Sequence, residues 1–549
     1  MCNRGYHRCR CRMLVLAALF GSGLLAGPWS ATAVGRLVAG LAEGATRPDG
    51  GTVVVGLDQE PPTLDPHASP SAVTFQILAS VTESLLYLTP ERKVQPWLAE
   101  SWETSPDGAS FTFRLRKDVR FQNGEPLTAA VVKWNFDRIV DPNFKAGGAL
   151  TALAGYSGSE VLDDHTVKVH FKKPYAPFLT YAASGILSLV SPKAVHEQGE
   201  SFGQHPVGTG VFAVAEYVSK DHVTLVRNPQ YNRTPPWGEH EGPAYLEKIV
   251  WKFIPEPGTR VTTVETGETQ VIYLVPSQDL PRLEKNQNIH IEKVPWPGVP
   301  RIAMLNVQKP PTDELAVRQA INYGVDKELL VQTLFKGTGQ VAYAPLTMSM
   351  LDEPVLRAFY PYNPEKAKQL LEDAGWKDVG GDGIRVRGGK KLELLINNID
   401  YGGGPWPEAQ MLQAQLGDLG FDVKIKSQAR APWYEDNYKC LTNGPILFLR
   451  AGDWDGLYSL FHSSVVGSNF NFSCYRNPKV DELLEMGRQE GDVEKRKQIY
   501  LTLEKLLLEQ AVSVPLIDEW SVWAVRHTVK GLKFNAFAYP VLSDLSVGK

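Results

Sequence analysis

The chain has 549 residues, 43% hydrophobic and 21% charged, with 48 Gly, 39 Pro and a formal charge of -4. That is globular composition at two-to-four-domain length, which excludes a disordered or collagen-like chain. Acidic residues (61) outnumber Lys and Arg (57), so no nucleic-acid partner is expected, because phosphate contacts need a cationic excess.

Residues 1–33 read as a signal peptide. Arg4, Arg8, Arg10 and Arg12 form a basic start, Met13 to Leu25 is apolar, and Ala31-Thr32-Ala33 supplies the small-residue cleavage pattern. The apolar run is shorter than the roughly 20 residues a bilayer span needs. No Cys follows it, since Leu24-Leu25-Ala26-Gly27 leads into Pro28, so a soluble periplasmic protein without a lipid anchor is expected. Cleavage removes four Arg and no acid, taking the formal charge from -4 to -8. Cys440 and Cys474 are the cysteines left after cleavage. An oxidising compartment permits a disulfide between them, worth about 3 to 4 kcal/mol in the chain-entropy picture; two separate buried thiols are the alternative.

Along the chain, Thr52 to Val55 reads as a buried strand, and Ser69-Pro70 as the start of a helix running to about Ser84. Phe111 to Arg116 and Thr166 to Phe171 alternate with period two, as half-buried strands do. From about 205 to 295 short strands predominate. Beyond 300 helices alternate with strands. A helix is expected over Glu314 to Phe335, with a stop at Gly337, and another after Asn363-Pro364, ending at Gly375. Glu408 to Leu419 ends at Gly420 and leads into the strand Phe421 to Ile425. Helices over Lys479 to Arg488 and Asp492 to Gln510 precede strands at Val512 to Ile517 and Val522 to Val525. Helix-Gly-strand units argue for an α/β domain.

No nucleophile elbow, phosphate loop, dinucleotide fingerprint or His-Glu-x-x-His zinc motif is present. Asp378 to Gly383 resembles a calcium loop only at its start, because position 12 is Gly389 rather than Glu. No catalytic residue, metal site or cofactor is therefore expected.

A series of collinear segments resembles the family 5 solute-binding proteins of bacterial ABC importers, the peptide and nickel class. They are Glu60 to Pro66, Glu83 to Leu86, Pro96 to Glu103, Asp107-Gly108, Phe121 to Gly124, Gly208 to Phe212, Arg227 to Tyr231, Arg318 to Lys327 and Tyr362 to Trp376. The resemblance implies an α/β, two-lobed, periplasmic-binding-protein-like fold (type II-like) with an extra α/β domain inserted in the first lobe. It places lobe I at 52–86, 205–298 and 515–549, the inserted domain at 87–204 and lobe II at 299–514. A ligand is enclosed between the lobes by hinge closure, and a membrane permease receives it. The expected protein is a monomer that binds without turnover. A short peptide is the leading ligand; an oligosaccharide, an opine or a metal chelate keeps the receptor class, and a hydrolase or a chaperone-like binder is the alternative class.

In peptide-binding relatives an Asp after a lobe II strand pairs with the ligand's α-amino group, and the matching position here is Asp453. Arg450 stands where many relatives have Trp; it is available to a ligand carboxylate, or to Asp453 or Asp455. The resemblance puts Trp454, Trp433, Trp406 and Tyr401 in loops near the cleft, where aromatic walls would cover a side chain or a sugar ring.

Overall fold

The computed structural model describes residues 50–69, 71–378, 381–400 and 405–548. Residues 1–33 and Tyr401 lie outside them. A single strand organises the chain. Ser513–Arg526 is 14 residues long, and its two ends join different groups of strands. Its C-terminal half pairs antiparallel with Val271–Tyr273 and Ile289–Pro295, and the sheet continues through Thr52–Leu57 and Lys248–Phe253 to the hairpin of Phe212–Val218 and His222–Arg227. Its N-terminal half pairs with Gly298–Met304 and Gly339–Val341, followed by Gly444–Arg450, Glu393–Ile399 and Asp422–Gln428. The chain therefore passes between the two halves twice, side by side: at Trp296-Pro297 and at Asp518 to Ser521. The two strands expected after residue 512 are one continuous strand, because Asp518 and Glu519 remain in its ladder, opposite Gln340 and Gly339.

The buried strands are apolar because both faces are covered. Val53, Val55 and Leu57 of the first strand are fully packed, and Thr52↔Lys248 starts its parallel register. A separate four-stranded antiparallel sheet, Ala99–Thr104, Ser110–Leu115, Thr166–Phe171 and Tyr156–Asp163, forms the smaller α/β unit. Helix Ala129–Val140 covers it, with Thr128 accepting from Val131 N. Its core is aromatic: the Phe178 ring lies 4.8 Å from Phe171 and 5.0 Å from Phe111.

Two helices differ from expectation. The first is Ala72–Leu78, not a helix to Ser84. It stops because the carbonyls of Ser80 and Val81 accept from Phe212 N and Gly210 N across the Gly208-Thr209-Gly210 crossing. A Cβ at Gly208 or Gly210 would overlap that backbone, so glycine is required there for close approach. The stretch from Glu314 to Phe335 is two helices, Leu315–Gly324 and Lys327–Leu334; Asp326 caps the second by accepting from Leu329 N. Asn363 caps Pro364–Asp373 by accepting from Lys366 N, and Gly375 takes the left-handed conformation, φ +86. Among the described residues, no helix is long and apolar enough to cross a membrane.

Candidate functional site

The expected anchor, Asp453, sits at the start of the turn that follows strand Gly444–Arg450. It is only 4% exposed, and both carboxylate oxygens are taken by Arg496, one by Nη1 at 2.9 Å and the other by Nη2. Asp455 N also donates to it, at 2.8 Å. Burial alone would raise its pKa, but the Arg496 guanidinium outweighs burial and holds the carboxyl below the usual range. Asp455 is matched in the same way by Arg488, with Nε at 2.6 Å and Nη2 at 3.0 Å. Here burial prevails, and the carboxyl is pushed up.

This turn meets the other half of the molecule. Arg92 donates to Gly452 O, and Ala176 N donates to Arg488 O at 2.7 Å. The Thr180 hydroxyl reaches Asp453, and Phe537 covers Gly452 so closely that a Cβ there would overlap its ring.

Arg450 pairs with neither Asp453 nor Asp455. Its Nη2 reaches Glu519 Oε2 at 3.3 Å, and its guanidinium lies over the Trp296 ring, 4.2 Å from the centroid. Glu519 comes from the long shared strand and Trp296 from the other crossing, so this contact sits at the junction of the two halves. Arg301, from Gly298–Met304, completes the cluster: Nε to Glu519 Oε2 at 3.2 Å and Nη1 to Glu408 Oε1 at 2.6 Å. Burial opposes ionisation of Glu519, but Arg301 and Arg450 hold its carboxyl below its ordinary value. The Arg450 pKa is lowered as well, because burial of its guanidinium outweighs Glu519. Although it lies this deep, 22% of its side-chain surface is accessible.

The Tyr273 hydroxyl lies in the fields of Arg450, Asp58 and Glu519, and Gln76 faces it. Asp58 Oδ1, buried, has no hydrogen-bond partner in the protein. Burial raises the Asp58 pKa, with Arg260 partly offsetting it.

The aromatic candidates divide. Trp433 is 3% exposed, donates Nε1 to Asn397 O at 3.3 Å and packs on Phe472, so it is core. Trp454 donates to Met350 O at 2.9 Å and lies beside Tyr500. Trp406 is half-buried under the Arg301 guanidinium, 5.1 Å from its ring centroid, and so belongs to the junction cluster. Cys440 and Cys474 are joined by a disulfide, Cα–Cα 6.2 Å. Sequence reading missed Arg301, Glu408, Glu519, Asp58, Gln76, Trp296, Arg488 and Arg496. A signal existed for two of them: Arg301 interrupts an apolar strand, and Glu519, with Asp518, interrupts the apolar run of another, and buried charges must be paired. Among the described residues no group of His, Cys, Asp or Glu has metal-ligand geometry.

Two halves joined by a pair of adjacent strands, with a charged cluster at the junction, have the frame of a two-lobed binding protein. The chain belongs to the bacterial extracellular solute-binding proteins, family 5, whose model matches residues 93–464. It is a substrate-binding protein of the ABC-importer class, not an enzyme. It is similar to the glutathione-binding protein GsiB of Escherichia coli O1:K1 / APEC, 28% identical over 487 residues, which cover 87% of this chain and 91% of that one. Among solved structures it resembles NikA from Brucella suis in complex with Fe(III)-EDTA: TM-score 0.80, 27% identity, covering 90% of this chain and all of that one. The fold is shared with the oligopeptide-binding protein AppA from Bacillus subtilis in complex with a nonapeptide: TM-score 0.74, 23% identity, covering 91% of this chain and 99% of that one.

Proposed function

We propose that this protein is a periplasmic receptor that closes on a short peptide, holding its carboxylate on Arg450, and hands it to an ABC permease. The observation that carries the reading is the Arg450 guanidinium, stacked on Trp296 and engaged by Glu519 at 3.3 Å, in a side chain that keeps 22% of its surface accessible. An Arg fork held on a ring matches a carboxylate in geometry and charge. Arg301, Arg450, Glu408 and Glu519 cancel in charge, so a lone ligand carboxylate would leave the cluster net negative. A zwitterion restores the balance. Asp58, with an unpartnered buried oxygen on the lobe I side, is the acceptor we assign to the ammonium.

Asp453 then acts on the receptor rather than on the ligand. Both its oxygens are occupied, and its pairing with Arg496 shapes the turn that the other half covers. The relatives are consistent with this chemistry: glutathione, a nonapeptide and EDTA all carry carboxylates. Residues 1–33 act as the export signal in this reading, the lobes are 52–86, 205–298 and 515–549 against 299–514, with 87–204 inserted, and the receptor works as a monomer.

Calorimetry with Ala-Ala-Ala and its C-terminal amide tests the assignment. The free acid should bind more tightly than the amide, and Arg450→Gln should weaken the acid by about 2 to 4 kcal/mol while leaving the amide nearly unchanged. Equal binding of acid and amide by the unaltered protein would overturn the role of Arg450.

A further inference from the structure

Strand Gly444–Arg450 is buried over its first four residues and then uncovers a large apolar side chain, Phe448, which is 38% exposed. Side chains alternate along a strand, so Phe448 shares a face with Ile446 and Arg450. At Ile446, 1% exposed, that face is core, in one cluster with Leu412 and Leu416 of helix Pro407–Gly417. The helix begins after its N-cap, Trp406, which sits at the Arg301 guanidinium. Phe448 and Arg450 are the next two residues of the face, and both keep accessible surface. The other face is packed: Leu447 clusters with Leu457, Leu460 and Phe461.

Single exposed apolar residues are ordinary on a protein surface. The neighbours of Phe448 set it apart. The Arg450 guanidinium lies 5.0 Å from its ring centroid and the Arg301 guanidinium 5.1 Å, so the ring stands beside the two cations that Glu519 joins. This is also the carboxyl end of the strand, which runs parallel to Glu393–Ile399, itself parallel to Asp422–Gln428. In α/β sheets ligands collect outside the carboxyl ends of such strands.

We propose that Phe448 selects the C-terminal residue of the bound peptide by forming the wall against which an apolar side chain packs. The inference rests on the reading that Arg450 holds the ligand carboxylate, and deepens it. The Cβ of a residue is two bonds from its carboxyl carbon, so a carboxylate on Arg450 brings its own side chain to the ring beside that guanidinium. A larger apolar side chain removes more of the Phe448 face from water and gains accordingly. An apolar side chain at the other end of the peptide gains nothing there.

Calorimetry on the full mature chain with Ala-Ala-Phe, Phe-Ala-Ala and Ala-Ala-Ala tests this. Ala-Ala-Phe should bind at least about fivefold tighter than Ala-Ala-Ala, the scale of partly burying one ring, and Phe-Ala-Ala less than about twofold tighter. Phe448→Ala should bring Ala-Ala-Phe to within about twofold of Ala-Ala-Ala, whereas Phe448→Leu should keep most of the difference. The preference for the free acid of Ala-Ala-Ala over its amide should persist in Phe448→Ala; its loss together with the C-terminal preference would make Phe448 a support for Arg450 and overturn its role in selection. Equal binding of Ala-Ala-Phe and Phe-Ala-Ala by the unaltered protein, or a preference that survives Phe448→Ala, would overturn the proposal as well. If the unaltered protein binds acid and amide alike while Phe448→Ala still erases the C-terminal preference, the apolar wall stands and the carboxylate role of Arg450 falls.

Discussion

At the residue scale, the chemistry of the junction depends on which charge meets which. Asp453 has one bidentate partner, Arg496, and both are buried. Asp453→Asn would leave that guanidinium uncompensated, at a cost of about 3 kcal/mol. Urea denaturation should show that loss, with the affinity of the folded protein for Ala-Ala-Ala unchanged; a tenfold loss of affinity at constant stability would make Asp453 a ligand anchor instead. Because its pKa is lowered on folding, its stabilisation is present above the unfolded carboxylate value and is lost as pH falls through the folded one. Glu504 behaves in the opposite sense. It is buried, with Oε1 accepting from Leu346 N at 2.7 Å and Oε2 without a partner, and burial pushes its pKa up to about 8. The folded state thus holds this proton more tightly than the unfolded chain does. Its contribution is greatest below the unfolded value and declines as pH rises from about 4.5 toward 8. Glu504→Gln should raise Tm more at pH 8 than at pH 5; an equal change at both would refute the assignment.

At the element scale, local signals located most helices and strands, and tertiary contacts reset their ends. Asn363-Pro364 and Gly375 delimit a helix whose cap and stop act through neighbouring atoms, so their meaning is readable in one dimension. The helix at Ala72 stops at Leu78 because a segment more than a hundred residues later claims the carbonyls of Ser80 and Val81, and no local pattern encodes that. The disulfide is likewise a long-range fact. It joins the end of helix Arg430–Tyr438 to the loop before Pro478–Gln489, across a separation of 34 residues. Cys440→Ser with Cys474→Ser should lower stability by about 3 to 4 kcal/mol, and chemical denaturation of the unaltered protein with reductant should reproduce the same loss. Identical midpoints with and without reductant would show that the bond does not contribute.

At the scale of the whole molecule, function is the meeting of two halves. The turn around Gly452 is where one half touches the Phe537 ring and Arg92 of the other. Gly452→Val should obstruct that approach, reducing peptide affinity about tenfold through incomplete closure while leaving thermal stability of the unliganded protein within about 0.5 kcal/mol. Small-angle scattering should show the unaltered protein contracting on ligand addition and the variant remaining extended; contraction of both would remove Gly452 from the closing surface.

The sequence by itself determined the class of protein. The collinear segments from Glu60 to Trp376 encode turns, caps and close crossings, such as Gly208-Thr209-Gly210, whose requirements are local and therefore visible in residue order. The candidate site was only partly legible. Arg450 was singled out, but its partner Glu519 lies 69 residues on and its aromatic support, Trp296, on a different crossing strand. Asp453 was legible as a carboxylate in the right turn, but its neutralisation by Arg496 depends on a helix 43 residues away. Only the tertiary structure decided these pairings, because the field at a buried charge is set by whatever the fold brings within a few ångströms, and sequence distance carries no information about that.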